Sequence, residues 1–291
     1  MQSLWMIVAG FMFAGMGVCV KLSADAGYSP AEIVFYRSFL ACLAMIVFVR
    51  WRRMSMATPY WRRQIKRGVT GFCSQSVYFY AISLLPLATA VTLNYTSPVF
   101  LMLLLVAFRG LKFNPGVVVS LGLGFSGAAC LLHPSFEGVG WFGGVMALVS
   151  AMLAAVTYFH VRDLGMRGEP EVRTVYYFSL ISVPLSFIWV IFSGFHPLTP
   201  RGFSLLLGVG IFATLAQLAM TRAYARGKVL LCASLAYTTV LFATLFGVLF
   251  WGEHLDKIEV IGMALVVVSG IAANYFSSES KKGNKRNETG Q

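Results

Sequence analysis

Long apolar runs follow one another along this chain, with only short polar connections between them. A helix needs about 20 mostly apolar residues to span the ~30 Å hydrocarbon core of a bilayer, and ten runs come close to that length. A chain that is 58% hydrophobic and 12% charged is also unlike an ordinary soluble domain. We therefore predict an all-α membrane protein with ten transmembrane helices: Ser3–Leu22, Ala31–Val49, Gly68–Leu85, Ala88–Phe108, Phe113–Leu132, Gly140–Val161, Val172–Ser193, Gly202–Thr221, Val229–Phe250 and Lys257–Phe276.

One stretch of the chain recurs 142 residues later. Residues 71–110 align without a gap to residues 213–252, and ten of the forty positions are identical. Apolar matches are common between membrane segments, whereas polar matches are not, and they indicate a duplication. The main polar matches are Gln75/Gln217, Tyr95/Tyr237 and Thr96/Thr238.

The duplication predicts the domain organisation. Each copy would hold five spans, an odd number, so the two halves must cross the membrane in opposite directions. We expect inverted five-helix repeats at residues 1–133 and 134–276, followed by a polar, disordered cytoplasmic tail at residues 277–291. Inverted halves are recurrent in transporters, with the binding site near the bilayer midplane between them.

The basic residues predict the orientation. The net charge of +12 could suggest a nucleic-acid partner, but the charges lie in short loops between apolar runs. Of the 23 Lys and Arg residues, nineteen fall in one set of alternate loops and termini and three in the other. Positive residues mark the cytoplasmic side, so we place both termini in the cytoplasm and the protein in the cell inner membrane.

Two segments of the chain resemble a known family. They are SLLPLATAVTLNYTSPVF at residues 83–100 and ASLAYTTVLFATLFGVLFWGEHLDKIEVIGMALVVVSG at residues 233–270. Through them the chain is similar to EamA-type, ten-span members of the drug/metabolite transporter superfamily, a resemblance that covers nearly all of it. Each five-span half in that family ends with Gly-Glu before its last helix. Gly252-Glu253 fits this pattern, whereas Gly110-Leu111 with Lys112 does not, so the motif is carried over only at Glu253.

The resemblance implies a transporter but leaves the substrate open, because relatives move amino acids, nucleotide-like metabolites, vitamins and drugs. We expect an alternating-access carrier for a small neutral, zwitterionic or anionic metabolite, with export of an amino-acid-like compound as the first hypothesis. Uptake of a vitamin or nucleoside-like compound is the alternative. An integral membrane enzyme is the hypothesis of another class.

Two glutamines are candidate cavity residues. Gln75 and Tyr78 are three residues apart and share a helix face, and Gln217 is the repeat partner of Gln75. Such side chains can simply join helices by hydrogen bonds worth about 0.6–2 kcal/mol. Their relation by the repeat favours a position at the interface of the two halves instead.

The most polar cluster inside a predicted span is Asn94-Tyr95-Thr96-Ser97-Pro98. Pro98 has no N–H, so the carbonyl of Asn94 loses its helical partner and must find another. Asn94, Tyr95 and Ser97 are therefore substrate-binding candidates. Two further candidates, Tyr237 and Thr238, repeat the theme in the ninth span without a proline. Pro184 in the seventh span is interpreted as a packing kink.

Arg37 is the one strong charge inside a predicted span. Charges within membranes usually face a cavity or a partner. The sequence favours a structural ion pair with another helix, and contact with substrate or extension toward the outer face are the alternatives. Glu32 is a poor partner, because it lies five residues away on the same helix.

No Asp or Glu lies deep in any predicted span. A buried acid is the usual means of proton coupling and of binding cationic drugs, so neither is expected. No metal, cofactor or catalytic motif is expected either. The expected partners are a small-molecule substrate and the lipid bilayer, with no nucleic acid and with a homodimer left open.

The predicted topology can be tested by labelling single cysteines introduced into a variant without the five native ones. An impermeant reagent should label positions 136 and 196 from outside and leave positions 55 and 283 unlabelled until the cells are opened. External labelling of position 283 would contradict both the orientation and the number of spans.

Overall fold

The chain folds into a bundle of α-helices. This computed structural model describes residues 2–85, 87–109, 115–132, 141–252 and 256–288, and those ranges contain no β-strand. Pro86 and the family-motif positions 110–112 and 253 lie outside them. The described helices are a short 3-10 helix Gln2–Leu4, α1 Trp5–Asp25, α2 Pro30–Trp51, α3 Trp61–Leu84, α4 Leu87–Asn94, α5 Ser97–Arg109, α6 Pro115–Leu132, α7 Trp141–Met166, α8 Glu171–Ser193, α9 Pro200–Arg226, α10 Val229–Leu235, α11 Thr238–Trp251 and α12 Lys257–Glu288.

Eight segments of the described chain are long and apolar enough to cross a membrane. Six of them each contain one of the helices α1, α2, α6, α7, α8 and α9. Each of the other two includes two consecutive helices: α4 and α5 in one, α10 and α11 in the other. Neither α3 nor α12 is among the eight. The all-helical prediction is confirmed, whereas the count of ten spans and the inverted repeat stay predictions.

Contacts between helix ends show how the first helices run. At one end of the bundle the backbone N–H of Lys228 donates to the hydroxyl of Ser3 at 2.9 Å, which places the start of α1 beside the end of α9. At the other end the hydroxyl of Tyr28, after α1, donates to the carbonyl of Pro197 at 3.3 Å. We call the first of these the basic end, which also holds Arg63 and Asp163. We call the second the far end.

Small residues bring helix pairs into close contact. α1 packs on α9, α2 on α8, α3 on α7 and α6 on α12. A β-carbon added to Gly127 on α6 would lie 2.8 Å from the backbone oxygen of Gly262 on α12, and the reverse substitution would meet the Gly127 oxygen at 2.8 Å. Lipid tails are as apolar as the helices, so close packing of this kind favours association in a membrane.

Two helical segments break at matching positions of the predicted repeat. The first breaks between Asn94 at the end of α4 and Ser97 at the start of α5. The second breaks between Leu235 and Thr238, which end α10 and begin α11. Proline at position 98 leaves the Asn94 carbonyl at the first break without its helical partner, yet the second half breaks 142 residues later, where position 240 is valine.

A threonine hydroxyl accompanies both breaks. The hydroxyl of Thr96 donates to the carbonyl of Leu93 at 2.6 Å, and that of Thr238 donates to Leu235 at 2.7 Å. Side-chain bonds of this type compete with the helical pattern and supply a partner for a carbonyl at the break. Pro98 occupies the second position of α5, near the helix start, where proline is tolerated. The threonine, unlike the proline, is therefore common to both breaks.

Two helices continue beyond points where the sequence suggests a change. α8 is helical on both sides of Pro184. α12 is helical to Glu288, whereas the sequence predicts disorder from Ser277. A helix makes its backbone hydrogen bonds within itself, so it can continue into a polar segment.

Replacing Gly127 with Ala should lower stability by about 1–3 kcal/mol, because the added methyl group meets backbone atoms that cannot move aside. Gly122 on the same helix has nothing within 4 Å of an added β-carbon, so Gly122→Ala is the matched control. Thermal unfolding in detergent should show a lower melting temperature for Gly127→Ala only. Equal melting temperatures for both variants would contradict the close contact of α6 and α12.

Candidate functional site

A cavity of about 330 Å³ lies inside the bundle. Residues of α1 to α5, of α7 to α9 and around the α10–α11 break form its wall. Along α1 the wall extends from Met6 to Met16, which is roughly 15 Å of helix. Its polar side chains are Arg37, Arg67, Ser74, Gln75, Tyr78, Asn94, Tyr95, Ser97, Thr157, Tyr158, Gln217, Tyr224 and Thr239.

Most of the residues that the sequence selects come together here. Seven of the nine candidates line the cavity, and two, Tyr237 and Thr238, do not. Tyr237 is fully buried behind Tyr95: the ring centroids are 5.8 Å apart, and the Tyr237 hydroxyl donates to the Tyr95 carbonyl at 3.3 Å. Tyr237 therefore supports the wall. The seven that line it are Arg37, Gln75, Tyr78, Asn94, Tyr95, Ser97 and Gln217.

The amide side chains in the wall differ in what they contact. Asn94 Nδ2 donates to Ser150 Oγ at 2.8 Å, and Ser74 Oγ donates to the Ser150 carbonyl at 2.9 Å. Asn94 thus joins α4 to α7, as a residue that holds helices together does. The amides of Gln75 and Gln217 make no hydrogen bond to a described residue. Their donors and acceptors are available to the cavity contents.

Arg37 faces the cavity from α2. The sequence favours an ion pair for it, but no described carboxylate pairs with its guanidinium. Glu32 instead caps α2 at the far end, where its Oε2 accepts from the Ser29 N–H at 2.8 Å and its Oε1 from the His196 N–H at 2.6 Å. The capping position explains why this buried acid is absent from the cavity wall.

A second arginine in the wall, Arg67, is missed by the sequence analysis. The charge count treats it as the end of a cytoplasmic loop, but it lies in the second turn of α3 and is fully buried. Its guanidinium carbon is 4.0 Å from the ring centroid of Phe178. Arg67 directly precedes the predicted span Gly68–Leu85, so extending that helix by one turn would have included it.

Two tyrosines on the basic side of the cavity are also missed. Tyr158 on α7 and Tyr224 on α9 both line the wall, and their rings stack with centroids 4.7 Å apart and planes 17° apart. Next to them Arg162 Nη1 donates to the carbonyls of Ala225 at 2.9 Å and Gly227 at 3.1 Å. No pattern in the sequence marks this contact, because it joins two distant helices.

Buried acids hold the basic end together. Asp163 pairs with Arg63, and Glu169 accepts from Gln64 at 3.0 Å and from Arg173 at 3.0 Å. Both carboxylates are buried, and a buried charge requires such partners. We call these five residues the basic-end network, which joins the start of α3 to the end of α7 and the start of α8.

The cavity wall is basic and polar. Among the described residues that form it there is no Asp, Glu, His or Cys, and no described group of three His, Cys, Asp or Glu residues could hold a metal ion. Amides, hydroxyls and two guanidinium groups suit neutral, zwitterionic or anionic solutes. A cation would meet two positive charges and no compensating carboxylate.

Comparison with known proteins places this arrangement in a family. Residues 1–133 and 141–275 match the EamA-like transporter family. The chain belongs to this family. Its relatives are membrane transporters: it is 32% identical to the pseudopaline exporter CntI of Pseudomonas aeruginosa, with 95% of each chain covered. It is 28% identical to a riboflavin transporter of Rhizobium johnstonii, with 77% of this chain and 74% of the relative covered.

A solved structure supports the fold alone. A crystal structure with 20% sequence identity superposes on this EamA-like transporter with a TM-score of 0.83, covering 96% of this chain and 98% of the other. The drug/metabolite transporter resemblance seen in the sequence is confirmed by the family match and by the relatives.

The different contacts of Asn94 and Gln75 predict different costs of substitution. Asn94→Leu should lower stability by about 1 kcal/mol, since it removes an interhelical hydrogen bond. Gln75→Leu should leave the melting temperature in detergent nearly unchanged. A larger loss for Gln75→Leu than for Asn94→Leu would mean that Gln75, and not Asn94, holds the helices together.

Proposed function

We propose that this transporter moves a small neutral, zwitterionic or anionic metabolite across the inner membrane by alternating access through the central cavity. The observation that carries the proposal is the cavity wall itself, which combines unpaired amides and two arginines with no described acid. Its volume of about 330 Å³ lies at the lower end of the range for small-molecule sites, roughly 300–1,000 Å³. We propose the seven wall-lining candidates as its substrate contacts.

Helix packing supports ten spans in two inverted halves. We divide the chain at residues 133 and 134, so that α1 corresponds to α7, α2 to α8, α3 to α9 and α6 to α12. Exchanging the halves converts the α1–α9 contact into the α7–α3 contact, and both are extensive. The α2–α8 and α6–α12 contacts each map onto themselves. Two halves related by a pseudo-twofold axis would pack in this way.

We place the basic end in the cytoplasm, because its loops carry most of the Lys and Arg residues. The start of α1 lies there, and α12 would return the C-terminus to the same side. For a substrate to enter from the cytoplasm, the basic-end network and the Tyr158–Tyr224 stack would have to separate. Such a closure suits a carrier whose two ends open alternately.

Export of an amino-acid-like compound is the direction that we propose first. It is supported by the similarity to the pseudopaline exporter, which extends over 95% of both chains. Uptake of a vitamin-like or nucleoside-like compound is the second candidate, supported by the similarity to a riboflavin transporter. Metabolite profiles of cells with and without the gene would separate the two: an exporter's substrate should accumulate inside when the gene is deleted.

Substituting the cavity glutamines should impair transport without unfolding the protein. Gln75→Ala and Gln217→Ala should each reduce flux of the profiled substrate about tenfold, because each removes polar contacts to it. Cys73 on the same helix as Gln75 is exposed on the outside of the bundle, so Cys73→Ala is the control. Flux into inside-out vesicles should fall for the glutamine variants only. Wild-type flux in both would remove these residues from the proposed site.

A further inference from the structure

A buried positive charge without a counterion stands in the cavity wall. Arg67 is fully buried, and its Nε, Nη1 and Nη2 atoms have no hydrogen-bond partner. A guanidinium remains protonated in proteins, and burying an uncompensated charge is costly. By contrast, Arg63, one turn earlier on α3, is paired with Asp163. The sequence thus supplies a carboxylate for one arginine of this helix face and none for the next.

The position of the Arg67 side chain shows where it is directed. A β-carbon added to Gly71, one turn further into the bundle, would lie 3.3 Å from Arg67 Nη1. The guanidinium therefore runs along α3 toward the interior rather than back toward the basic end, where an arginine near a membrane surface would normally extend. Gly71 and Phe178 lie beside it, Thr157 lies beside Gly71, and all three residues line the cavity.

The contact with Phe178 does not neutralise this charge. A cation–π contact attracts the guanidinium to the ring face, but it accepts none of the five N–H donors in the way that a carboxylate or phosphate oxygen does. The second arginine of the wall, Arg37, adds a further positive charge to the same cavity. Two like charges facing one cavity, without a described acid on its wall, are stabilised by an anion between them.

We propose that Arg67 is an anion-binding residue of the transport cavity, so that the transported compounds carry at least one carboxylate or phosphate group. This proposal rests on the proposed transport function and narrows its substrate class. Arg67 binds the anionic group through a pair of N–H groups at the edge of its planar guanidinium, and Phe178 packs against one face of that plane. Gly71 leaves the space into which the side chain extends. Arg37 supplies a second positive charge for the same compound.

Binding of simple anions to the purified full-length protein in detergent tests the proposal. The probes are succinate, glutamate and inorganic phosphate, with succinamide and glutamine as neutral counterparts, at matched ionic strength. At least one anion should raise the melting temperature more than its neutral counterpart does, or more than matched chloride in the case of phosphate. Arg67→Met, which keeps the packing on Phe178, should weaken that anion's affinity roughly ten- to hundredfold, the range for losing a charge-assisted contact.

The control variant is Arg62→Met, because Arg62 is an exposed arginine on the same helix that lies over the Trp61 ring at 5.3 Å. It should retain the anion response. Without ligand, Arg67→Met should melt at the same or a higher temperature than wild type, since it removes an uncompensated charge. A lower melting temperature together with an unchanged anion response would show that Arg67 is structural.

Two further outcomes separate this proposal from the proposed function. If none of the three anions raises the melting temperature of the wild type at any concentration up to millimolar levels, the proposed anion site does not exist. If an anion binds through Arg67 but reconstituted liposomes show no flux of the profiled substrate, the site stands and transport fails. Equal flux of that substrate by wild type and Arg67→Met would leave transport standing and overturn the role of Arg67.

Discussion

Polar backbone groups within hydrocarbon have no water to bind, and this constraint governs the whole bundle. Each apolar run meets it by forming a helix, whose N–H and C=O groups bond within the segment. Irregular backbone is tolerated at membrane depth only where protein or a cavity supplies partners. The two breaks obey this rule, because Tyr95 lines the cavity and each break has a threonine hydroxyl bonded to a nearby carbonyl.

The same constraint explains where the charges lie. The buried acids Asp163 and Glu169 bond to basic or amide side chains at the basic end, and Glu32 bonds to Ser29 and His196 at the far end. Arg37 and Arg67 are different, because they are charged, lie on a cavity wall and have no described carboxylate partner. Charges that the protein leaves uncompensated inside a membrane usually serve a function.

Much of the fold follows from the sequence because apolar run length and polar matches are local signals. Helices occupy the described parts of the apolar runs, although two of the runs are each divided into two helices. The repeated Gln75/Gln217 pair lies on one cavity wall. Residue roles were harder, since they depend on contacts between distant helices. Asn94 and Gln75 look equally polar in sequence, yet only Asn94 meets a serine on α7. The sequence assigns Arg67 to a loop because the predicted span begins at Gly68, whereas α3 begins at Trp61, about two turns earlier. The Tyr158–Tyr224 stack leaves no local signal in the sequence.

Arg67 lies on the same helix as a member of the basic-end network. Arg63 and Arg67 lie four residues apart on one face of α3, and they face different structures: Arg63 pairs with Asp163 of α7, while Arg67 contacts Phe178 of α8. A compound held at Arg67 would therefore act on the helix that forms one side of the basic-end network. Because the two arginines lie one turn apart on α3, a displacement of this turn would move both of them. A ligand changes a conformational equilibrium only through its different affinity for the two states. Arg67 is a residue at which such a difference can arise, because its charge has no counterion until a compound arrives.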